Sequence, residues 1–354
     1  MGNKSMVLEL IYGRRNISGG ENWTFVGVAL LSVIMINTFT CLSAYGQARL
    51  RQLLREPFAH KQTSQNAKTP SDLVQRFMQC SGTTRTYYLH IPAAIDSTNP
   101  LPLLLVFHGG GGTAVGMAGI TRMTPLSDAK RFILVYPQGL GKQWNDGRKG
   151  IKTRTTADDV AFISQLIDTL EKEYPIDRKR VYACGISNGG FFSQRLICQL
   201  PEKIAAAASV VASMPADGAC VPNQPVPIMF VLGTADPLVP FQGGLIKIPF
   251  GGGTRGAVKS ASDTASYWLQ FDCCPRLPQT ERTMDGHDGT IVNYKSFGPG
   301  TANSELLFCT VEGGGHCWPG GKQYLPKSIV GKTSSVDGNQ LILSFFERHR
   351  LPNN

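Results

Sequence analysis

The chain has 354 residues, 42% of them hydrophobic and 17% charged, which is ample for a buried core in one large domain or two small ones. Its 39 glycines point to many tight turns, and no fixed-period repeat is present. The net charge of +10 comes from scattered basic residues with small clusters at Arg49–Arg55 and Arg148–Arg154; there is no basic helix with interleaved aromatics and no zinc-finger spacing, so nucleic-acid binding is set aside and the charge reads as a solvated face.

Residues 1–46 follow the charged, apolar, small-residue order of a secretory signal peptide. Lys4, Arg14 and Arg15 lead, Phe25 to Ile36 is apolar apart from Gly27 and Ser32, and Ser43, Ala44 and Gly46 are small. The apolar run is short for a membrane span. The expectation is export to a secreted or periplasmic location with no stable membrane association after cleavage; retention as an N-terminal anchor stays open. Setting Cys41 aside leaves eight of the nine cysteines, and an even number in an exported chain suggests disulfides of undetermined connectivity. Cys184 lies inside a strand and is expected to be a buried free thiol. No Cys/His grouping has zinc spacing, so no metal is expected.

Residues 47–79 are polar with little periodicity and read as a leader or linker, with the ordered domain running over 80–354. Thr83–Ile91 alternates and is rich in Thr and Tyr, which suggests an edge strand. Leu101–Phe107 and Phe132–Tyr136 are continuous apolar runs, as in strands buried on both faces. Asp159–Tyr174 has a helical apolar period. Val181–Cys184 reads as a strand, Asn188–Leu200 as a helix, Ala205–Ala212 and Val226–Leu232 as strands, and Ala257–Gln270 as a helix. Glu281–Ser296 reads as a hairpin, Glu305–Val311 as a strand and Asp337–Arg348 as a closing amphipathic helix. This alternation predicts an α/β fold: a mainly parallel central sheet with helices on both faces.

Ligands gather at the carboxyl ends of such strands. Four polar motifs fall there in chain order: His108 with the run Gly109–Gly112, then Ser187, then Asp236, then His316. Ser187 stands in Gly185-Ile186-Ser187-Asn188-Gly189, the G-x-S-x-G pattern of a serine lifted on a sharp strand-to-helix turn. A serine hydroxyl needs an adjacent base, for which His316 is the candidate, with Asp236 holding the imidazole. The oxyanion of a tetrahedral intermediate needs N–H donors; Asn188 is expected to supply one and Gly110 or Gly111 the other. Asp158 and Asp159 sit where a helix N-terminus is expected and read as caps. His108 reads as a brace for the glycine loop. Trp144 and Asn145 are candidates for lining the cleft, and Trp318 for a wall of the substrate pocket or plain packing.

The segments HGGGG, GISNGG, GTADPLVPF and EGGGHCWPGG, with Trp144-Asn145-Asp146-Gly147 and Asp158-Asp159-Val160, resemble the polyhydroxybutyrate depolymerase-like and feruloyl esterase-like enzymes of the α/β-hydrolase fold, from about Thr83 to Arg350. The resemblance implies a Ser187, Asp236, His316 triad and cofactor-free hydrolysis of small-molecule or oligomeric esters (hydroxyalkanoate, feruloyl or acetyl) outside the cell. It also implies a disulfide from Cys274 or Cys273 to Cys309, with Cys198 to Cys220 as a second. The absence of a polymer-binding module before Asn354 favours soluble esters. Two rival classes fit the sequence less well. A dinucleotide-binding oxidoreductase is disfavoured because Gly109–Ala114 fits G-x-G-x-x-A but no acid follows the next strand. A non-catalytic binding protein of the same fold is disfavoured because no triad member is missing.

Overall fold

The computed structural model describes residues 72–93, 95–149, 155–217, 221–248 and 254–352. The chain divides into two units, Met1–Asn66 and Ala67–Asn354, and every described residue belongs to the second. The expected signal peptide, 1–46, and most of the expected leader, 47–79, lie outside the described residues. None of the helices among the described residues is long and apolar enough to cross a membrane.

The second unit is built on a ten-stranded sheet. Its strands are β1 (Val74–Cys80), β2 (Thr83–His90), β3 (Leu101–Phe107), β4 (Ile133–Pro137), β5 (Ile176–Ile186), β6 (Ala206–Val210), β7 (Ile228–Gly233), β10 (Thr280–Asp285), β11 (Ile291–Phe297) and β12 (Leu306–Glu312). A separate ribbon pairs β8 (Gly244–Lys247) with β9 (Thr254–Val258). The sheet order is β1-β2-β4-β3-β5-β6-β7-β12-β11-β10. The six strands from β4 to β12 are parallel, and the two outer pairs at each edge run antiparallel.

The parallel strands are apolar throughout because successive side chains serve opposite faces, and helices cover both. Leu103, Leu105 and Phe107 of β3 join one core, with Phe230 of β7 and Phe308 of β12. That core receives α3 (Asp159–Glu173), α4 (Asn188–Gln199) and α5 (Ala261–Phe271). Leu104 and Val106 join the other core, with Val231 and Cys309, under α1 (Ala114–Thr121) and α7 (Gly338–Phe346). In α3 the fully buried residues Phe162, Ile163, Leu166, Ile167 and Leu170 make one stripe, the period that marked this helix in the sequence. Two shorter helices, α2 (Thr124–Lys130) and α6 (Lys327–Val330), complete the unit.

Several expectations need correction. The strand at Thr83–His90 is not an edge, because β1 pairs with it antiparallel along its whole length. Ordered structure therefore begins before Cys80. β1 is mostly exposed, with Phe77 at 62% exposure, so it lacks the apolar period that would have betrayed it. The helix expected at Ala257–Gln270 starts at Ala261, where the Ser260 side chain accepts the Asp263 N–H; the residues before it form β9. Asp158 does cap α3, accepting from the Ala161 N–H. Asp159 does not cap: it is buried and ion-paired to Arg85 at 2.6 Å, and the Arg85 guanidinium lies 3.9 Å over the Phe162 ring.

The expected bridge from Cys274 or Cys273 to Cys309 is absent: all three thiols are free, as are Cys80, Cys184 and Cys317. The reason is the pleat of β12. Leu306 and Phe308 face the core that holds Cys274, while Cys309 faces the opposite core. Cys198 is not among the free thiols, and Cys220, its expected partner, lies outside the described residues.

At the end of α5 the Asp272 carboxyl is fully buried, and neither oxygen has a hydrogen-bond partner. Burial pushes its pKa up to about 7 from the ordinary 3.8. The folded chain therefore keeps a proton that the unfolded chain releases, and stability falls as pH rises from about 4 through about 7. Asp272→Asn is expected to raise the melting temperature by several degrees at pH 8, with the gain shrinking as pH falls and vanishing only near pH 4. Calorimetry at the two pH values checks this, and an offset independent of pH would overturn it.

Candidate active site

Strand β5 ends at Ile186 and helix α4 starts at Asn188, so Ser187 alone makes the turn. Its backbone is at φ 55° and ψ −118°, a conformation that costs a non-glycine residue about 1–3 kcal/mol. The Ser187 N–H donates to the Val210 carbonyl of β6 at 2.9 Å, which ties the turn to the next strand. The flanking glycines permit the crossing. A Cβ on Gly185 would fall 2.5 Å from the Gly189 carbonyl carbon, and one on Gly189 would fall 2.5 Å from the Phe107 carbonyl oxygen.

Asp236 follows β7 and His316 follows β12, two strands paired in parallel. Asp236 Oδ1 accepts the N–H groups of Leu238 at 2.8 Å and Val239 at 2.9 Å. Its Oδ2 lies 2.7 Å from His316 Nδ1. A carboxylate only accepts, so Nδ1 carries the proton and Nε2 is left as the basic nitrogen. Both side chains are nearly buried, and the Tyr324 hydroxyl donates to the His316 carbonyl at 2.9 Å. Ser187 and His316 line the same two cavities.

Two N–H groups of the glycine loop after β3 are already engaged. The Gly111 N–H is engaged by the Lys142 carbonyl at 2.8 Å, and the Gly112 N–H by the Gly109 carbonyl at 2.9 Å. Gly111 is therefore corrected as a donor: among the described hydrogen bonds, Gly110 N–H and Asn188 N–H remain without an acceptor. His108 holds the loop from beneath. Its Nε2 accepts the Gly139 N–H at 3.0 Å, so its proton sits on Nδ1, which donates to the Gly109 carbonyl at 2.8 Å. Burial lowers its pKa to about 4.

Three expected cleft residues turn out to lie behind the cleft. Trp144 is buried, stacked on Phe192 with centroids 5.1 Å apart, and its indole N–H donates to the His108 carbonyl at 3.0 Å. Asn145 is engaged by Asp159 and by the Ala157 carbonyl. Trp318 is buried in the α7-side core and donates to Asn339 at 2.8 Å. None of the three lines either cavity. Aromatic residues beside a motif are read equally well as walls or as packing, and only the packing decides.

Beyond the serine, the histidines and the oxyanion groups, the side chains that complete the cavity walls were not singled out in the sequence. The larger cavity, about 380 Å³, is apolar: Met117, Ile120 and Leu325 face it with Tyr324. The smaller, about 160 Å³, is lined by Gln143, Arg148, Phe191, Ile246 and Arg255. Arg148 is held by Asn188: the Asn188 side chain donates to Asp146 Oδ2 at 2.6 Å, and Asp146 in turn accepts from Arg148 Nε at 3.0 Å and Nη2 at 2.6 Å. Asp146 belongs to the Trp144-Asn145-Asp146-Gly147 segment, which was a signal, but its partner Arg148 is visible in the sequence only as one member of a basic cluster. Among the described residues no group of three or more His, Cys, Asp or Glu side chains is placed to hold a metal ion.

No family model matches the chain. A Nocardia uniformis subsp. tsuyamanensis protein named as an esterase, NocK, is 30% identical over 303 residues, covering 83% of this chain and 85% of that protein. Feruloyl esterase B of Piromyces equi is 28% identical over 246 residues, 67% of this chain and 44% of that protein. The bifunctional acetylxylan esterase/xylanase XynS20E of Neocallimastix patriciarum is 29% identical over 228 residues, 64% of this chain and 30% of that protein. The chain thus spans less than half the length of these last two. A thermostable esterase of known structure superimposes with a TM-score of 0.52 at 15% identity, covering 80% of this chain and 64% of that one. This likeness is one of fold, and the fold is that of the α/β-hydrolases.

The His108 imidazole sets a pH dependence of its own. Below about 6.5 the unfolded chain takes up a proton that the folded chain refuses until about 4. Stability contributed by this residue is thus lost as pH falls through that window. Between pH 7 and pH 4 the wild type is expected to lose about 3 kcal/mol more than His108→Gln in urea titrations. The opposite slope from Asp272 is common to both proteins and cancels in the comparison. Equal slopes would remove His108 as the cause.

Proposed function

The chain belongs to the α/β-hydrolase family of carboxylic ester hydrolases, and we propose that it carries out this chemistry through an acyl-enzyme on Ser187. One observation carries the reading: an Asp236–His316 pair closed at 2.7 Å opens onto the same cavities as a serine held on a strained elbow. In the proposed reaction His316 Nε2 takes the Ser187 proton as Oγ attacks the ester carbonyl. The Asn188 and Gly110 N–H groups receive the oxyanion, an interaction worth about 3 kcal/mol per donor in such sites. The tetrahedral intermediate collapses, His316 passes the proton to the departing alcohol, and the acyl group stays on Ser187. Water then attacks the acyl-enzyme with His316 again as base, releasing the acid and restoring the serine.

The proposed substrates are small or oligomeric esters with short acyl, feruloyl or hydroxyalkanoate groups. The apolar cavity of about 380 Å³ supports a drug-sized or smaller group, within the range of ordinary ligand sites. The order of charged, apolar and small residues in 1–46 supports a secreted or periplasmic enzyme. N-terminal sequencing of the exported protein checks this, and a mature chain starting at Met1 would overturn cleavage.

The test is hydrolysis of p-nitrophenyl esters from acetyl to octanoyl, with methyl ferulate, acetylated xylan oligomers and hydroxybutyrate oligomers. Ser187→Ala is expected to lower kcat by about 10³-fold or more, and Asp236→Asn by about 10⁴-fold, with folding unchanged by circular dichroism. Undiminished activity in Ser187→Ala would place the nucleophile elsewhere. A folded wild type inert on every ester would favour a binding protein of this fold.

A further inference from the structure

The two cavities beside Ser187 differ in charge. The larger is walled mostly by apolar side chains and backbone, with His108 and His316 its only basic groups among the described residues. The smaller is lined by Arg148, Arg255 and the exposed Lys247, and no acidic residue among the described residues lines it. Hydrolysis of a neutral ester calls for none of these cations.

Arg148 is fully occupied. Its Nε and Nη2 are bound by Asp146, its Nη1 donates to the Arg255 carbonyl at 2.9 Å, and its guanidinium lies 4.0 Å over the Phe191 ring. It is a fixed wall. Arg255, on β9, differs. Its guanidinium is half-buried and makes no hydrogen bond or ion pair among the described residues. Burial and the charge of Arg148 both lower its pKa, and Asp146, which faces the pair, is the one carboxylate opposing two guanidiniums. Half-buried arginines normally find an acceptor, because the fork of donors loses water on burial. An anion from outside the chain would supply it.

We propose that the smaller cavity is a carboxylate subsite, with Arg255 as the specificity-determining residue, and that the preferred substrates are esters bearing a carboxylate a few atoms from the scissile carbonyl. This rests on the esterase reading above and narrows its substrate class. The carboxylate meets the Arg255 fork while Arg148 and Lys247 add to the local field, and the apolar part of the ester occupies the larger cavity. The free acid end of a hydroxyacid oligomer and a half-ester of a dicarboxylic acid present the same group. In the first it lies on the alcohol side of the scissile ester, in the second on the acyl side.

The experiment compares kcat/KM for matched pairs. p-Nitrophenyl hydrogen glutarate against p-nitrophenyl pentanoate places the charge on the acyl side, and 3-carboxyphenyl butyrate against phenyl butyrate places it on the leaving side. At least one charged ester is expected to exceed its neutral partner by about tenfold to a hundredfold, through KM, with the ratio falling as salt rises. In Arg255→Gln the ratio collapses towards one, and in Arg255→Lys it is partly kept. Calorimetric titration of Ser187→Ala with glutarate reads the subsite without turnover: binding lost on adding Arg255→Gln supports it. Neutral esters hydrolysed as well as charged ones in both pairs, or no glutarate binding, would overturn the subsite and leave the esterase reading standing. Glutarate binding in a protein inert on every ester would do the reverse.

Discussion

Everything at this site depends on how closely α4 crosses β3 at the end of β5. Gly189 sits under the Phe107 carbonyl and Gly185 against Gly189, each with no room for a Cβ. That approach lets the chain reverse from strand to helix within one residue and forces Ser187 into the left-handed region. The strain is held by the sheet on both sides: β3 through its carbonyl, β6 through the Ser187 N–H. A looser crossing would lower the serine, and with it the relation to His316 and to the N-terminal N–H of α4.

The polar groups around the elbow are arranged so that few are left free. His108 is neutral because burial keeps it so, and as a neutral ring it can donate to one backbone segment and accept from another. Gly109 and Gly139 are thereby joined, and the Lys142 carbonyl engages the Gly111 N–H. The Asn188 side chain meanwhile pins the Trp144–Asp146 segment to the start of α4. Once these pairings are made, the N–H groups of Gly110 and Asn188 and the guanidinium of Arg255 are left facing the cavities. Preorganisation here is the result of satisfying nearly every other donor.

Much of the fold was legible in the sequence because parallel strands covered on both faces are continuous apolar runs, and Leu101–Phe107 coincides with its strand to the residue. The amphipathic helices were equally plain. What escaped were elements with little to bury: β1 on the solvated edge, the short helices α1 and α2, and the ribbon β8–β9, whose position only long-range pairing determines. The misplaced disulfide has the same origin. Cys274 and Cys309 are both buried, and only the register of β12 shows them to be on opposite faces.

The sequence by itself determined which chemistry-bearing residues exist and at which strand ends they fall, since order along the chain and apolar periodicity are local properties. It thereby nominated Ser187, Asp236, His316, Asn188 and the glycine loop. The tertiary structure alone decided which of those groups keep a free donor or base, that Trp144 and Trp318 pack rather than line, and that Arg148 and Arg255 come together across 107 residues of chain. Those outcomes depend on competition among neighbours for the same hydrogen bonds and the same space, and neighbours distant in sequence are fixed only when the sheet closes them together.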